Sequence, residues 1–392
     1  MKKNCWNKRK LVSIALVFSI LTALFPMQVN AETLSLKEQA QQTAQYYQEI
    51  IMRDVPGCTW TEDTEVSHVT SLYDPYGELN GIVYEYQNGQ TPAGFLQIDL
   101  SSETAALDSY SFGDEHPAAK KMRSLPSAVS RNRTSDKLVY LGGYSYYVLE
   151  QATTNGVSEV YDVLNEQSTT LNLSSVKQSY TTYVAAKSQS QAVQKNTVSP
   201  MGLNTVTKLV QGYTSMFLGT YGNLDPWEEN KCTIISAVNT AMYWSKFRGK
   251  TNLYSTMPGT FNAIKQYIPI TSADGATYND AYNGFRNYVS AKGYPSTRYG
   301  KITSANWTWS KMKSIIDSNV PITLATVHYG EDDSSGFFPD LEKDNKVGGH
   351  AVTVFGYQYI EVANTIIIAD AYSTSLVYKT FSSINVSGES SA

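Results

Sequence analysis

The stretch Asn345–Tyr357, NKVGGHAVTVFGY, decides how the second half of this chain is read. It alternates as a strand: Val352, Val354 and Gly356 share the face of His350, while Ala351, Thr353, Phe355 and Tyr357 line the other. Both faces are mainly apolar, so a histidine at the mouth of the run needs a partner for its imidazole. Gly348 and Gly349 just before it admit close approach by other backbone. Beyond Tyr357 the chain turns near Glu361–Asn364 and returns as Thr365-Ile-Ile-Ile-Ala-Asp370. An antiparallel return of this kind can bring the carboxylate of Asp370 beside the imidazole. The competing reading of Asp370 is an aspartate that caps the following turn with Ser373.

A base held by an orienting group suits a nucleophile, and Cys232 is the candidate. It opens the segment Thr233–Phe247, TIISAVNTAMYWSKF, in which Ile234, Val238, Ala241 and Met242 recur at helical spacing. The unpaired N–H groups at a helix amino terminus favour thiolate over thiol. Taken alone, a free cysteine is more often one more small core residue. Lys311–Thr323, KMKSIIDSNVPIT, reads as an amphipathic helix running into a strand over Ile322–Val327. His328 and the acidic run Glu331–Asp333 after it read as a solvated loop, with a cation site as the lesser alternative. His68 and His116 lie in the first half without spaced ligands.

The first half has a different texture. Ser35-Leu-Lys-Glu38 is a capping box, and Leu36, Ala40, Tyr47, Ile50 and Ile51 mark the stripe of one amphipathic helix ending near Pro56. Strands follow over Ile82–Tyr86, Phe95–Leu100, Leu138–Leu141 and Tyr144–Leu149, punctuated by Asp74-Pro-Tyr-Gly77, Asn88-Gly89 and Gly142-Gly143. Lys187–Pro200, KSQSQAVQKNTVSP, is polar and aperiodic, the texture of an exposed connector and a site for proteolysis.

The totals narrow the function. A chain of 392 residues, 42% hydrophobic, is long enough for two domains with packed cores. Its first 31 residues read as a secretory signal: Lys2, Lys3, Lys8, Arg9 and Lys10, an apolar run from Leu11 to Phe25, then Val-Asn-Ala31. The run is short of the ~20 apolar residues that span a bilayer, so no stable membrane anchor is expected after cleavage. That segment takes five of the 31 basic residues and none of the 35 acidic ones, and the strongly acidic remainder argues against nucleic acid as a partner. Of three cysteines, Cys5 leaves with the signal and Cys58 and Cys232 stay. So few thiols speak against a disulfide scaffold, though one bridge between the two remains open. There is no Gly-x-Ser-x-Gly elbow, phosphate loop or zinc-spaced Cys/His pattern, and no metal or organic cofactor is implied.

The cysteine that opens a helix, the Lys311–Thr323 helix, GGHAVTVFGY and IIIADAY together resemble the papain-fold cysteine peptidases of bacteria, nearest their streptopain-like and bacteriocin-processing-type groups. The likeness covers Met201 to the end. In the first half, LYDPYGE from Leu72 and GFLQI from Gly94 are similar to a streptopain-type propeptide, a domain that blocks the active site until it is removed. The resemblance implies an α+β architecture: a signal over 1–31, a prodomain over 32–186, a linker over 187–200, and a papain-like domain over 201–392 with its helix on an antiparallel sheet. It implies Cys232 as nucleophile, His350 as general base and acid, Asp370 as orienting residue, a peptide or protein substrate, and the protein's own N-terminal domain as inhibitor. The family's oxyanion glutamine is missing, since Pro226 and Trp227 stand where it is expected, and Asn230 and Asn223 are the nearest amides. That gap supports one rival reading, a secreted surface-interaction protein that keeps the fold without its chemistry; a third reading is a thiol amidase or transpeptidase acting on wall peptides through the same thiol chemistry.

Overall fold

The computed structural model describes residues 34–391 apart from 153–156, 188–204, 214–230, 271–275, 296–300, 304–306, 327–349, 361–362 and a few scattered positions. Asn223, Asn230, Pro226, Trp227, His328, Gly348, Gly349, the signal segment and nearly all of the connector lie outside the described residues. From Leu36 to Ala392 the chain forms one compact unit.

The capping-box helix is α1, Leu36–Asp54, with Ala40, Ala44, Tyr47, Ile50 and Ile51 on its buried face. It lies on an antiparallel meander of β1 (Glu65–Tyr73), β2 (Leu79–Asn88), β3 (Thr91–Asp99) and β4 (Ala106–Phe112). Gly94 shows how closely β3 and β4 approach: at φ 129° it would place a Cβ 2.0 Å from the Ser111 carbonyl oxygen. Only glycine fits there. A short helix α2 (Pro117–Arg123) starts on the ring of His116, which accepts from the Ala119 N–H. Strands β5 (Leu138–Tyr140), β6 (Tyr146–Ala152), β7 (Val157–Asp162) and β8 (Gln167–Asn172) continue the sheet, with β5 parallel to β1.

Tyr144 is not in a strand, as its sequence suggested. Gly142 and Gly143 take positive φ angles of 103° and 56° and Ser145 N–H donates to the Gly142 carbonyl, so Tyr144 sits in a tight turn between β5 and β6.

The second half adds β9 (Val206–Leu209), α3 (Cys232–Arg248), α4 (Met257–Lys265), α5 (Tyr278–Ala291), β10 (Lys301–Thr303), α6 (Trp309–Asp317), β11 (Ile322–Thr326), β12 (His350–Ile360), β13 (Ala363–Ala369), β14 (Val377–Thr380) and β15 (Val386–Ser391). The sheet order is β10-β15-β11-β12-β13-β14-β4-β3-β2-β1-β5-β6-β7-β8, with β9 also paired to β12. One sheet therefore runs through both halves, joined where Ser111, Tyr110 and Ser109 of β4 pair with Val377, Tyr378 and Lys379 of β14. Lys379 Nζ lies 2.9 Å from Asp108 Oδ2 with both side chains buried. The mixed α and β architecture is compatible with a papain-like peptidase domain. Among the described residues no helix is long and apolar enough to cross a membrane.

Candidate active site

Helix α3 carries the cysteine as its first residue. Lys231 is the N-cap and offers no side-chain cap, and Gly249 ends the helix in the left-handed region at φ 70°. Residues Cys232–Tyr243 are buried all round, so the helix is a core element rather than an amphipathic cover. Its polar residues bind the sheet: Ser236 Oγ is 2.8 Å from Thr353 Oγ1, and Thr353 Oγ1 donates to the Ser236 carbonyl at 3.1 Å. Further along, Tyr243 donates to the Asn319 carbonyl at 3.1 Å, just before β11. Because β11 runs antiparallel to β12, with Ile322 opposite Val354, these contacts show that α3 and β12 run in the same sense. Their first residues, Cys232 and His350, accordingly lie toward the same end. Cys232 is 8% exposed and His350 2%. Neither Cys232 nor Cys58 forms a disulfide.

His350 Nε2–H donates to the main-chain carbonyl of Asp370 at 2.7 Å. A carbonyl can only accept, so this bond fixes the tautomer and leaves Nδ1 as the basic nitrogen. Asp370 thus meets the histidine through its backbone. Its carboxylate accepts from the N–H groups of Tyr372 at 3.0 Å and Ser373 at 2.8 Å, and from the Ser373 hydroxyl at 3.2 Å. The carboxylate thus takes the turn-capping position of the competing reading, and the imidazole meets the main-chain oxygen of Asp370 in place of the expected carboxylate. The turn needs Ala371 at φ 67°, a left-handed conformation that costs a non-glycine residue about 1–2 kcal/mol. Burial pushes the Asp370 carboxyl up to about 6 against the pull of its hydrogen bonds to Ser373 and Tyr372.

Two tyrosines enclose the imidazole. Tyr372 stacks on it with ring centroids 4.7 Å apart and planes 21° apart, and Tyr144 meets it at 4.9 Å and 55°. Burial holds the Tyr372 phenol well above its ordinary range, with Asp162 and Cys232 adding to the effect, so Tyr372 stands within electrostatic reach of the thiol as well. Its hydroxyl donates to Asn165 Oδ1 at 3.2 Å, and the Lys121 ammonium lies 5.9 Å from its ring centre. Asn165, Lys121 and Tyr144 all belong to the first half. Tyr372 was legible only as the residue after Asp370-Ala371, and Tyr144 gave no signal beyond the diglycine before it.

Residues 217–386 match the family described as Peptidase_C39 like. The match takes in Cys232, His350 and Asp370, covers less than half of the chain, and supports a papain-like cysteine peptidase family for that part. No curated protein matches the chain.

Proposed function

We propose that the chain is the precursor of an exported cysteine peptidase, hydrolysing peptide bonds through Cys232 and His350 with Asp370 as orienting residue, and kept latent by its N-terminal half. The observation that carries this reading is the bond from His350 Nε2 to the Asp370 carbonyl, which presents Nδ1 as a base at the end of β12 where α3 begins with Cys232. In the proposed reaction Nδ1 takes the thiol proton, and the sulfur electron pair attacks the substrate carbonyl carbon. The imidazolium then protonates the leaving amine as the C–N bond breaks, leaving a thioester that water hydrolyses with Nδ1 again as base. The helix terminus favours the thiolate.

Latency is supported by the placement of Tyr144, from the N-terminal half, on the imidazole, with His350 only 2% exposed. It is the behaviour that a streptopain-like propeptide would give. Residues 1–31 would direct export. The same enclosure also favours a rival, a secreted binding protein that has no use for an open thiol.

The test follows the size of the wild-type chain and its Cys232→Ala variant, with alkylation of Cys232 as second readout. Self-trimming in wild type alone, and faster alkylation of Cys232 once Tyr144 is replaced by alanine, are expected of the peptidase. If Tyr144→Ala neither matures nor labels at Cys232 faster than an unfolded cysteine peptide, the binding-protein reading takes its place.

A further inference from the structure

The seam between the halves is built as an interior rather than as a contact between separable bodies. β4 and β14 pair antiparallel at three register positions, so parting them would expose two unpaired strand edges. Asp108 and Lys379 face each other across that line with side chains 0% and 2% exposed. Tyr110 and Tyr378 stack across it at 4.5 Å and 8°. Asp114 receives the Thr374 and Ser375 N–H groups at 2.7 and 2.9 Å. The apolar packing ignores the boundary too. One cluster joins α1 and β2–β4 to Ile360, Ile367 and Tyr378, and another joins Leu72, Val83 and Phe95 to Val352, Val354 and Ile366. Lys187, read from sequence as the first residue of the exposed connector, is instead buried and held in the first half by an ion pair with Asp99 at 2.9 Å.

We propose that a chain cut in the 187–200 connector remains one particle: the N-terminal fragment stays docked as a resident subunit, with Tyr144 still seated on His350. A cut there severs one covalent path and leaves these contacts among the described residues in place. Interfaces between domains that separate are small and polar, whereas this one is continuous with the core on both sides. Opening the site then requires destruction of the N-terminal half itself. The docking claim is independent of the peptidase reading; the claim that the nick leaves the site closed rests on it.

The experiment places a recognition sequence for a specific endoprotease inside residues 190–198 of the Cys232→Ala chain, so that cutting owes nothing to the chain's own thiol. Size-exclusion chromatography and native mass spectrometry follow the cut protein through successive ten-fold dilutions. Co-migration of both fragments at the mass of the uncut chain is expected, and separation into two species overturns the proposal. Lys379→Met in the same background, checked before cutting by circular dichroism, is expected to separate within the same dilution series, because Asp108 is left buried without its counter-charge. A variant that stays whole at every dilution would show that the ion pair does not hold the seam. With Cys232 intact, alkylation mapped to its peptide is expected to be equally slow before and after the cut. Faster labelling of a particle that stays whole would overturn the closed-site claim while leaving the docking intact.

Discussion

At the scale of single residues, the main-chain contact from Asp370 to His350 makes a prediction that separates two roles for one residue. If the carbonyl orients the imidazole, Asp370→Asn keeps the bond and the turn, and kcat/KM of the opened enzyme is expected to fall by less than about ten-fold. A carboxylate acting as orienter would instead cost about 10⁴-fold in the same steady-state assay. The same substitution carries a pH signature. A carboxyl raised to about 6 from 3.8 binds its proton more tightly in the folded chain than in the unfolded one. Asp370 therefore subtracts nothing from stability below about pH 4, and subtracts progressively more as pH rises to about 6. Urea unfolding of Asp370→Asn and wild type is expected to give similar values near pH 4 and a gap of about 3 kcal/mol in favour of the variant by pH 7.5. His116 acts with the opposite sign. Burial lowers it from 6.5 to about 3, so the stability it contributes is complete above about pH 6.5 and is lost as pH falls toward 3. His116→Gln is expected to flatten that acid limb in the same unfolding series.

Elements were legible where local pattern and tertiary environment agree. The capping box and apolar stripe gave α1, and the alternation around His350 and the isoleucine run gave β12 and β13. Helical spacing after Cys232 gave α3, which ends one residue past the expected Phe247 because Gly249 can take the left-handed cap. β4 was not legible. Its sequence ALDSYSF carries a charge in mid-strand, and Asp108 is held in the core by Lys379, 271 residues later, at 2.9 Å, together with the Tyr140 and Ser109 hydroxyls. Lys379→Met in the intact chain is accordingly expected to cost about 3–5 kcal/mol by denaturant unfolding, and the double variant Asp108→Leu/Lys379→Met to recover much of that loss. Gly94→Ala is expected to destabilise by more than about 2 kcal/mol, because its Cβ would lie 2.0 Å from the Ser111 oxygen on the neighbouring strand. The Tyr144 turn escaped for another reason: the diglycine announces a bend and says nothing of what the next side chain will touch.

On the scale of the whole molecule, the polar stretch after Lys187 reads as a boundary, and the halves on either side carry different textures. What no local pattern carries is that one sheet spans both, since strand pairing between β4 and β14 depends on residues about 270 positions apart. That separation has a consequence for how the chain acquires its shape. Val377–Thr380 come long after Ala106–Phe112 in the chain, so β4 has no neighbour on that side until those residues have been made. A pairing of such high contact order is slow to form, and during the wait an open strand invites association with other chains. Productive folding of the first half therefore depends on Val377–Thr380 of the second, and on whatever keeps a nascent copy solitary until they arrive.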